Sequence, residues 1–173
     1  CVEETAFLWS YLEATITEGL TFRQNFGWSN TNRDRRTFFG KSTGEGKAMR
    51  GRIGRSDAWW TNITTESLLT FDRTFNEKHH INAVAGFTYE ESSYVDKSID
   101  VSDRSTELSG FNDLSVAMSV QQPYSSKPPK SKLVSFLWRA NYVLNDKYIF
   151  TLSQRLDGSN KFKPEFKKQY SFF

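Results

Sequence analysis

Alternation of apolar and polar residues is the feature that most limits how this chain can fold. From Val134 to Leu144 the apolar positions are Val134, Phe136, Trp138, Ala140, Tyr142 and Leu144, interleaved with Ser135, Leu137, Arg139, Asn141 and Val143. Successive side chains of a strand point to opposite faces, so this run reads as a strand with one greasy and one largely polar face. Two settings use such a strand. One is a water-soluble sheet with its greasy face on a core; the other is a membrane wall with lipid outside and water inside.

Five further runs repeat the pattern. The first, about Ala6 to Thr17, has an ambiguous face, because Phe7, Trp9 and Tyr11 compete with Leu8, Leu12, Ala14 and Ile16. After Glu18-Gly19 come Leu20, Phe22, Phe26 and Trp28 against Arg23, Asn25, Gly27 and Ser29. The third run, Ala58 to Phe75, sets Trp59, Ile63, Leu69 and Phe71 against Asn62, Glu66 and Asp72. Asn76-Glu77-Lys78 makes a short turn into Ile81, Ala83, Ala85, Phe87 and Tyr89. Asn145-Asp146 turns the last pair into Tyr148, Phe150, Leu152 and Leu156 against Thr151, Ser153, Arg155 and Asp157. No helix of useful length is expected; β-branched residues and Gly argue for strands throughout.

The expected fold is therefore all-β, an antiparallel up-and-down meander of about six strands. Its hairpins cover about 6–29, 58–90 and 133–157; long loops cover about 30–57, 91–132 (with the stiff Lys127-Pro128-Pro129-Lys130) and 158–171. Short turns on one side and long loops on the other are the habit of transmembrane barrels. Trp9, Trp28, Trp59, Trp60 and Trp138 fall in the long-loop halves of their strands, and Phe22, Phe71, Phe75, Tyr142 and Tyr148 near the short turns. Two aromatic girdles at opposite interfaces would look like this. A sandwich with aromatics placed by chance would look similar.

Composition narrows the choice. A hydrophobic fraction of 37% and the lack of any long apolar run exclude a bundle of membrane helices, whereas 16% aromatics suit either β setting. Six strands are fewer than the roughly eight of the smallest bacterial membrane barrels. An open sheet in lipid leaves edge N–H and C=O groups unpaired at several kcal/mol each. A membrane reading thus requires more strands than these, making the chain an open arc of a larger barrel. The start at Cys1-Val2-Glu3-Glu4 carries no basic and apolar leader, which fits either processing or an internal piece of a longer chain.

Few residues suggest chemistry. Cys1 is the lone cysteine, so neither a disulfide nor a Cys-based metal site is expected. His79 and His80 are adjacent on a strand and point apart, so they do not converge on a metal. No phosphate loop or catalytic triad is visible, and no enzyme or cofactor is expected. The basic stretch Arg33, Arg35, Arg36, Lys41, Lys47, Arg50, Arg52 and Arg55 fits a solvated loop or an acidic ligand. A basic nucleic-acid-binding β protein is a third reading of it. Trp59 and Trp60 suit sugar stacking and interface anchoring alike.

The stretches Leu68 to Glu91 (LLTFDRTFNEKHHINAVAGFTYEE) and Leu133 to Phe162 (LVSFLWRANYVLNDKYIFTLSQRLDGSNKF) resemble hairpins of SusC/RagA-type TonB-dependent outer-membrane transporters. Tyr11 to Trp28 is similar to another hairpin of that family, and Arg155, Asp157, Gly158 and Ser159 follow its Arg-Asp-Gly-Ser run with Leu156 interrupting. The resemblance implies a barrel of about 22 strands, of which this is a central part of the wall without its plug domain. The terminal Phe172-Phe173 is like the aromatic end of a complete barrel, yet the match places it in mid-barrel. It further implies import of glycans or peptides across the outer membrane, powered by TonB beside a SusD-like lipoprotein. Lipid and lipopolysaccharide would surround the wall, and nucleic acid would have no part. In that barrel Arg23, Asn62, Glu66, Arg139, Asn141, Arg155 and Asp157 would face the lumen, with Trp28, Trp59, Trp138, Tyr142 and Tyr148 at the lipid interfaces. The competing reading is a soluble antiparallel β-sandwich or lipocalin-like ligand-binding module.

Overall fold

The computed structural model describes residues 1–108, 110–121, 123–161 and the backbone of 168–172. Phe162, Phe173 and the side chain of Phe172 lie outside the described residues. The elements in chain order are β1 (Val2–Thr17), β2 (Leu20–Phe39), α1 (Gly44–Ala48), β3 (Arg52–Phe75), β4 (His79–Arg104), β5 (Ala117–Val120), β6 (Tyr124–Ser126), β7 (Ser131–Leu144), β8 (Tyr148–Ser159) and β9 (Lys168–Phe172). They form one sheet in the order β1-β2-β3-β4-β7-β8-β9, with β5 and β6 each pairing β4. The six expected strands are present, and three short ones join them.

The expected loop limits need correction. Residues 30–39, 52–57 and 91–104 are strand rather than loop, β8 runs on to Ser159, and β9 begins at Lys168. Backbone hydrogen bonds hold a ladder regardless of side-chain polarity, so the strands persist where apolar positions such as Ile53, Val95, Ile99 and Val101 are few and set among charges. A five-residue helix, α1, also interrupts the first connector. Thr43 caps it, its Oγ1 accepting a hydrogen bond from the Gly46 N–H at 3.0 Å.

The short turns follow their residue chemistry. Asn76 and Glu77 have φ of 52° and 55°, and Asn145 and Asp146 have φ of 52° and 54°. Two successive positive φ values make the type I′ turn whose twist matches a two-strand hairpin, and Asn and Asp tolerate that region best. At the β1–β2 turn Gly19 sits at φ 78°, and a Cβ there would lie 2.4 Å from the Asp72 carbonyl oxygen. Only glycine fits.

The chain divides into two compact units. One, the turn unit, comprises Phe7–Ser29, Asn62–Ser92 and Lys130–Phe173; the other, the loop unit, comprises Cys1–Ala6, Asn30–Thr61 and Ser93–Pro129. In the turn unit, Tyr142 pairs with Ile81 and Phe150, Ala140 with Ala83 and Leu152, and Phe136 with Phe87 and Leu156. Directly paired residues share a face, so the greasy parity is continuous over β4, β7 and β8. Among the described residues nothing packs on that face: Phe136, Phe150 and Leu152 are 52%, 63% and 59% exposed. Each forfeits much of the roughly 1.5–3 kcal/mol that full burial of such a side chain supplies.

Among the described residues the buried hydrophobic side chains are Ile53, Ala58 and Val101, all in the loop unit. Among the described residues the turn unit is a single layer with no core of its own. A sandwich needs a second sheet on the greasy face, and a lipocalin-like module needs a closed, filled interior. Neither is formed.

Candidate functional site

The polar face of the turn unit is a set of hydrogen-bonded rows. Thr151 Oγ1 donates to Asn141 Oδ1 at 2.9 Å, Asn141 Nδ2 to Asn82 Oδ1 at 3.4 Å, and Asn82 Nδ2 to Asp72 Oδ2 at 2.7 Å. One row thus crosses β8, β7, β4 and β3. In a second, Asn25 Nδ2 donates to Glu66 Oε2 at 2.8 Å and Arg23 Nε donates to Asn25 Oδ1 at 3.0 Å, with Arg23 also 3.7 Å from Glu13. Ser92 Oγ donates to Asn62 Oδ1 at 2.6 Å, and Asn62 Nδ2 to Ser29 Oγ at 3.3 Å. Arg155 Nε donates to Asp157 at 2.9 Å, and its Nη2 to Ser135 Oγ at 3.4 Å. Of the polar residues predicted from sequence, Arg139 alone has no such bond among the described residues; it is exposed, paired in register with Val84 and Ser153.

These contacts also settle the ambiguous face of β1. Arg23 stacks over the Tyr11 ring at 4.4 Å, and a Cβ on Gly27 would lie 2.4 Å from the Trp9 ring. Trp9, Tyr11 and Glu13 therefore share the polar face with Arg23 and Gly27. Leu8, Leu12, Ala14 and Ile16 take the greasy one.

The predicted interface aromatics occupy the greasy parity. Trp138 Nε1 donates to Gln154 Oε1 at 2.9 Å, and the Tyr142 hydroxyl meets His79 Nδ1 at 2.6 Å. Trp28 is half-buried, Tyr148 is exposed, and the Lys97 ammonium lies 5.7 Å from the Trp59 ring centre. His79 and His80 diverge as strand neighbours must, His80 turning to Thr74 Oγ1 at 3.1 Å. An unexpected polar patch interrupts the greasy face: Gln24 Nε2 donates to Thr65 Oγ1 at 2.7 Å, and Ser67 Oγ donates to Gln24 Oε1 at 2.6 Å. Mutual bonding satisfies these groups without water.

In the loop unit the basic stretch is largely neutralised. Arg36 pairs with Asp34 at 2.6 Å, Arg50 with Asp103 at 2.6 Å, Arg55 with Asp57 at 3.3 Å, and Arg33 with Glu3 at 3.5 Å. Arg52 joins Glu45 of α1 at 2.9 Å and Asp100 of β4 at 3.1 Å. Its hydrogen bond to Asp100 raises the Arg52 pKa, and the Arg36 hydrogen bond lowers that of Asp34. Acids from β4, far away in sequence, supply counter-charges that a scan of the basic stretch alone does not see. A free basic surface for nucleic acid is not what these residues make.

One strand face of this unit carries a polar cavity of about 360 Å³, lined among others by Arg35, Thr37, Gly54, Ser56, Ser98 and Asp100. On the same face Trp60 lies between the Arg33 guanidinium, 4.4 Å from its ring centre, and Tyr94, with ring centres 5.1 Å apart. Both neighbours compete for the Trp60 ring faces that a sugar would use. The cavity went unnoticed in the sequence because its walls come from β2, β3 and β4. The sole hint there was a lone Gly54 inside a polar strand, the mark of a close approach.

No family model matches the chain. Among curated proteins it is 28% identical over 163 residues to TonB-dependent receptor P3 of Formosa agariphila, covering 94% of this chain and 16% of that protein. It is 27% identical over 130 residues to TonB-dependent receptor P26 of the same organism, covering 75% of this chain and 12% of that one. The chain thus spans less than a fifth of the length of these relatives. Among solved structures, the RagAB peptide transporter superposes with a TM-score of 0.82 at 18% identity, over 97% of this chain and 19% of that one. The RagAB peptide importer in its closed-closed state gives 0.79 at the same identity and coverage. Sequence likeness to these TonB-dependent receptors and the fold shared with RagAB together make the chain similar to a segment of the outer-membrane β-barrel of a TonB-dependent receptor.

Proposed function

We propose that this segment forms part of the barrel wall and outer connectors of an importer that takes glycans or peptides across the outer membrane. The observation that carries the reading is the greasy face of the turn unit. It is continuous over three registered strands, has no layer packed on it among the described residues, and is backed by hydrogen-bonded polar rows. Lipid on one side and a wet interior on the other satisfy both faces at once. A solvated sheet would satisfy only the second.

In this reading Arg23, Asn62, Glu66, Arg139, Asn141, Arg155 and Asp157 line the lumen, where most of them brace neighbouring strands. Trp28, Trp59, Trp138, Tyr142 and Tyr148 anchor the wall at the levels of lipid and lipopolysaccharide head groups. The whole receptor works with TonB and a SusD-like lipoprotein. RagAB, on which the chain superposes, is a peptide transporter and so favours peptides, while the wider resemblance admits glycans. Uptake by cells carrying the full-length receptor tests this. Accumulation of a labelled glycan or peptide should vanish when either the receptor or TonB is deleted. Uptake that survives loss of TonB contradicts the reading.

A further inference from the structure

The cavity of the loop unit is built for a ligand of definite chemistry. Thr37, Ser56 and Ser98 present hydroxyls that make no hydrogen bond within the described residues, and Arg35 is exposed and has no counter-ion among them. Asp100 spends one oxygen on Arg52, at 3.1 Å. Gly54 lets the Asp100 and Thr37 side chains lie close over the floor: a Cβ there would come within 2.6 Å of Asp100 Oδ1 and 3.0 Å of Thr37 Oγ1. Arg52, gripping Glu45 and Asp100, fixes α1 against β4 and so holds the rim.

We propose that this cavity is a subsite for an acidic saccharide unit, a sugar ring carrying a carboxylate. The three hydroxyls can each donate to or accept from ring hydroxyls, and the Asp100 carboxylate accepts from one. Arg35 supplies the fork that binds a carboxylate through two N–H groups. A peptide fits less well. Phe39 is the one apolar side chain of a lining that is otherwise polar, charged or glycine, so the cavity offers no apolar pocket for peptide side chains. The one aromatic ring of the lining, Phe39, has the Arg52 guanidinium 6.0 Å from its centre, so recognition here rests on hydrogen bonds and charge rather than ring stacking.

The subsite rests on the importer reading, and its test separates the two. Calorimetry on the full-length receptor would compare digalacturonate, cellobiose and triglutamate. Digalacturonate should bind, cellobiose more weakly, and Arg35→Gln should weaken digalacturonate by about tenfold or more while leaving cellobiose unchanged. Gly54→Ala, which crowds Asp100 and Thr37, should weaken both sugars. Digalacturonate that fails to bind, binds unaltered to both variants, or is displaced by triglutamate at equal affinity would overturn the subsite. TonB-dependent uptake that persists alongside such a result leaves the importer standing and removes only the subsite.

Discussion

The turn unit and the loop unit are cut from the same strands yet solve opposite problems. β2 gives Leu20, Phe22, Phe26 and Trp28 to the first, and Asp34, Arg35 and Arg36 to the second. The turn unit has a greasy face continuous over β4, β7 and β8 and, among the described residues, no buried hydrophobic side chain. The loop unit has the small core of Ile53, Ala58 and Val101 and ties β3 to β4 through the ion pair of Arg52 with Asp100. A sheet that leaves Phe150 and Leu152 open is stable only where the surroundings are themselves apolar. A sheet cross-linked by Arg52, Glu45 and Asp100 is made for water. One length of chain is therefore written for two solvents.

Charge on the greasy face should break the comparison most severely. Phe150→Arg or Ala140→Arg in the full-length receptor should cost up to about 2–4 kcal/mol near mid-membrane, read from the fraction that assembles as a heat-modifiable barrel. Thr151→Arg, on the opposite face beside Asn141, should assemble close to normally. Equal tolerance at the three sites would mean that the faces are wrongly assigned. Next in size come the turns. Asn145→Ile forces a β-branched residue into positive φ, a cost of roughly 1–2 kcal/mol, visible as a lower denaturant midpoint of the folded receptor. Asn145→Gly should be almost neutral there.

Cutting the polar row is milder. Asn141→Leu removes the bonds to Asn82 and Thr151 and should cost on the order of 1 kcal/mol in the same denaturation assay, with assembly retained. The exposed ion pairs of the loop unit stand last. Asp34 titrates below its ordinary value of 3.8 because of Arg36, so its contribution is present above that value and is lost as pH falls through the lowered pKa. Asp34→Asn should leave stability at neutral pH nearly unchanged and flatten only the acid end of the pH profile.

How much of this was legible beforehand follows from what each signal measures. Greasy alternation reports burial or lipid on one face, so the hairpins around Asn76-Glu77 and Asn145-Asp146, and the parity of β4, β7 and β8, could be read directly. It is faint where apolar residues are few and set among charges, which is why 30–39 and 91–104 looked like loops. It is also silent where both faces are apolar, which is why β1 stayed ambiguous until Arg23, Tyr11, Trp9 and Gly27 were seen together. The cavity depends on pairings such as Arg52 with Asp100, 48 residues apart, and no local pattern encodes them.

Fluorescence quenching at single labelled positions tests the central claim most directly. With every native cysteine replaced, Cys1 among them, one cysteine at a time would be labelled in the full-length receptor, reconstituted in bilayers carrying a nitroxide lipid. Labels at Phe150, Leu152 and Ala140 should be quenched by the lipid and shielded from aqueous iodide. Labels at Thr151, Asn141 and Ser125 should escape the lipid quencher. The same response at Leu152 and Thr151, or its reversal, would contradict the account of this sheet as a membrane wall.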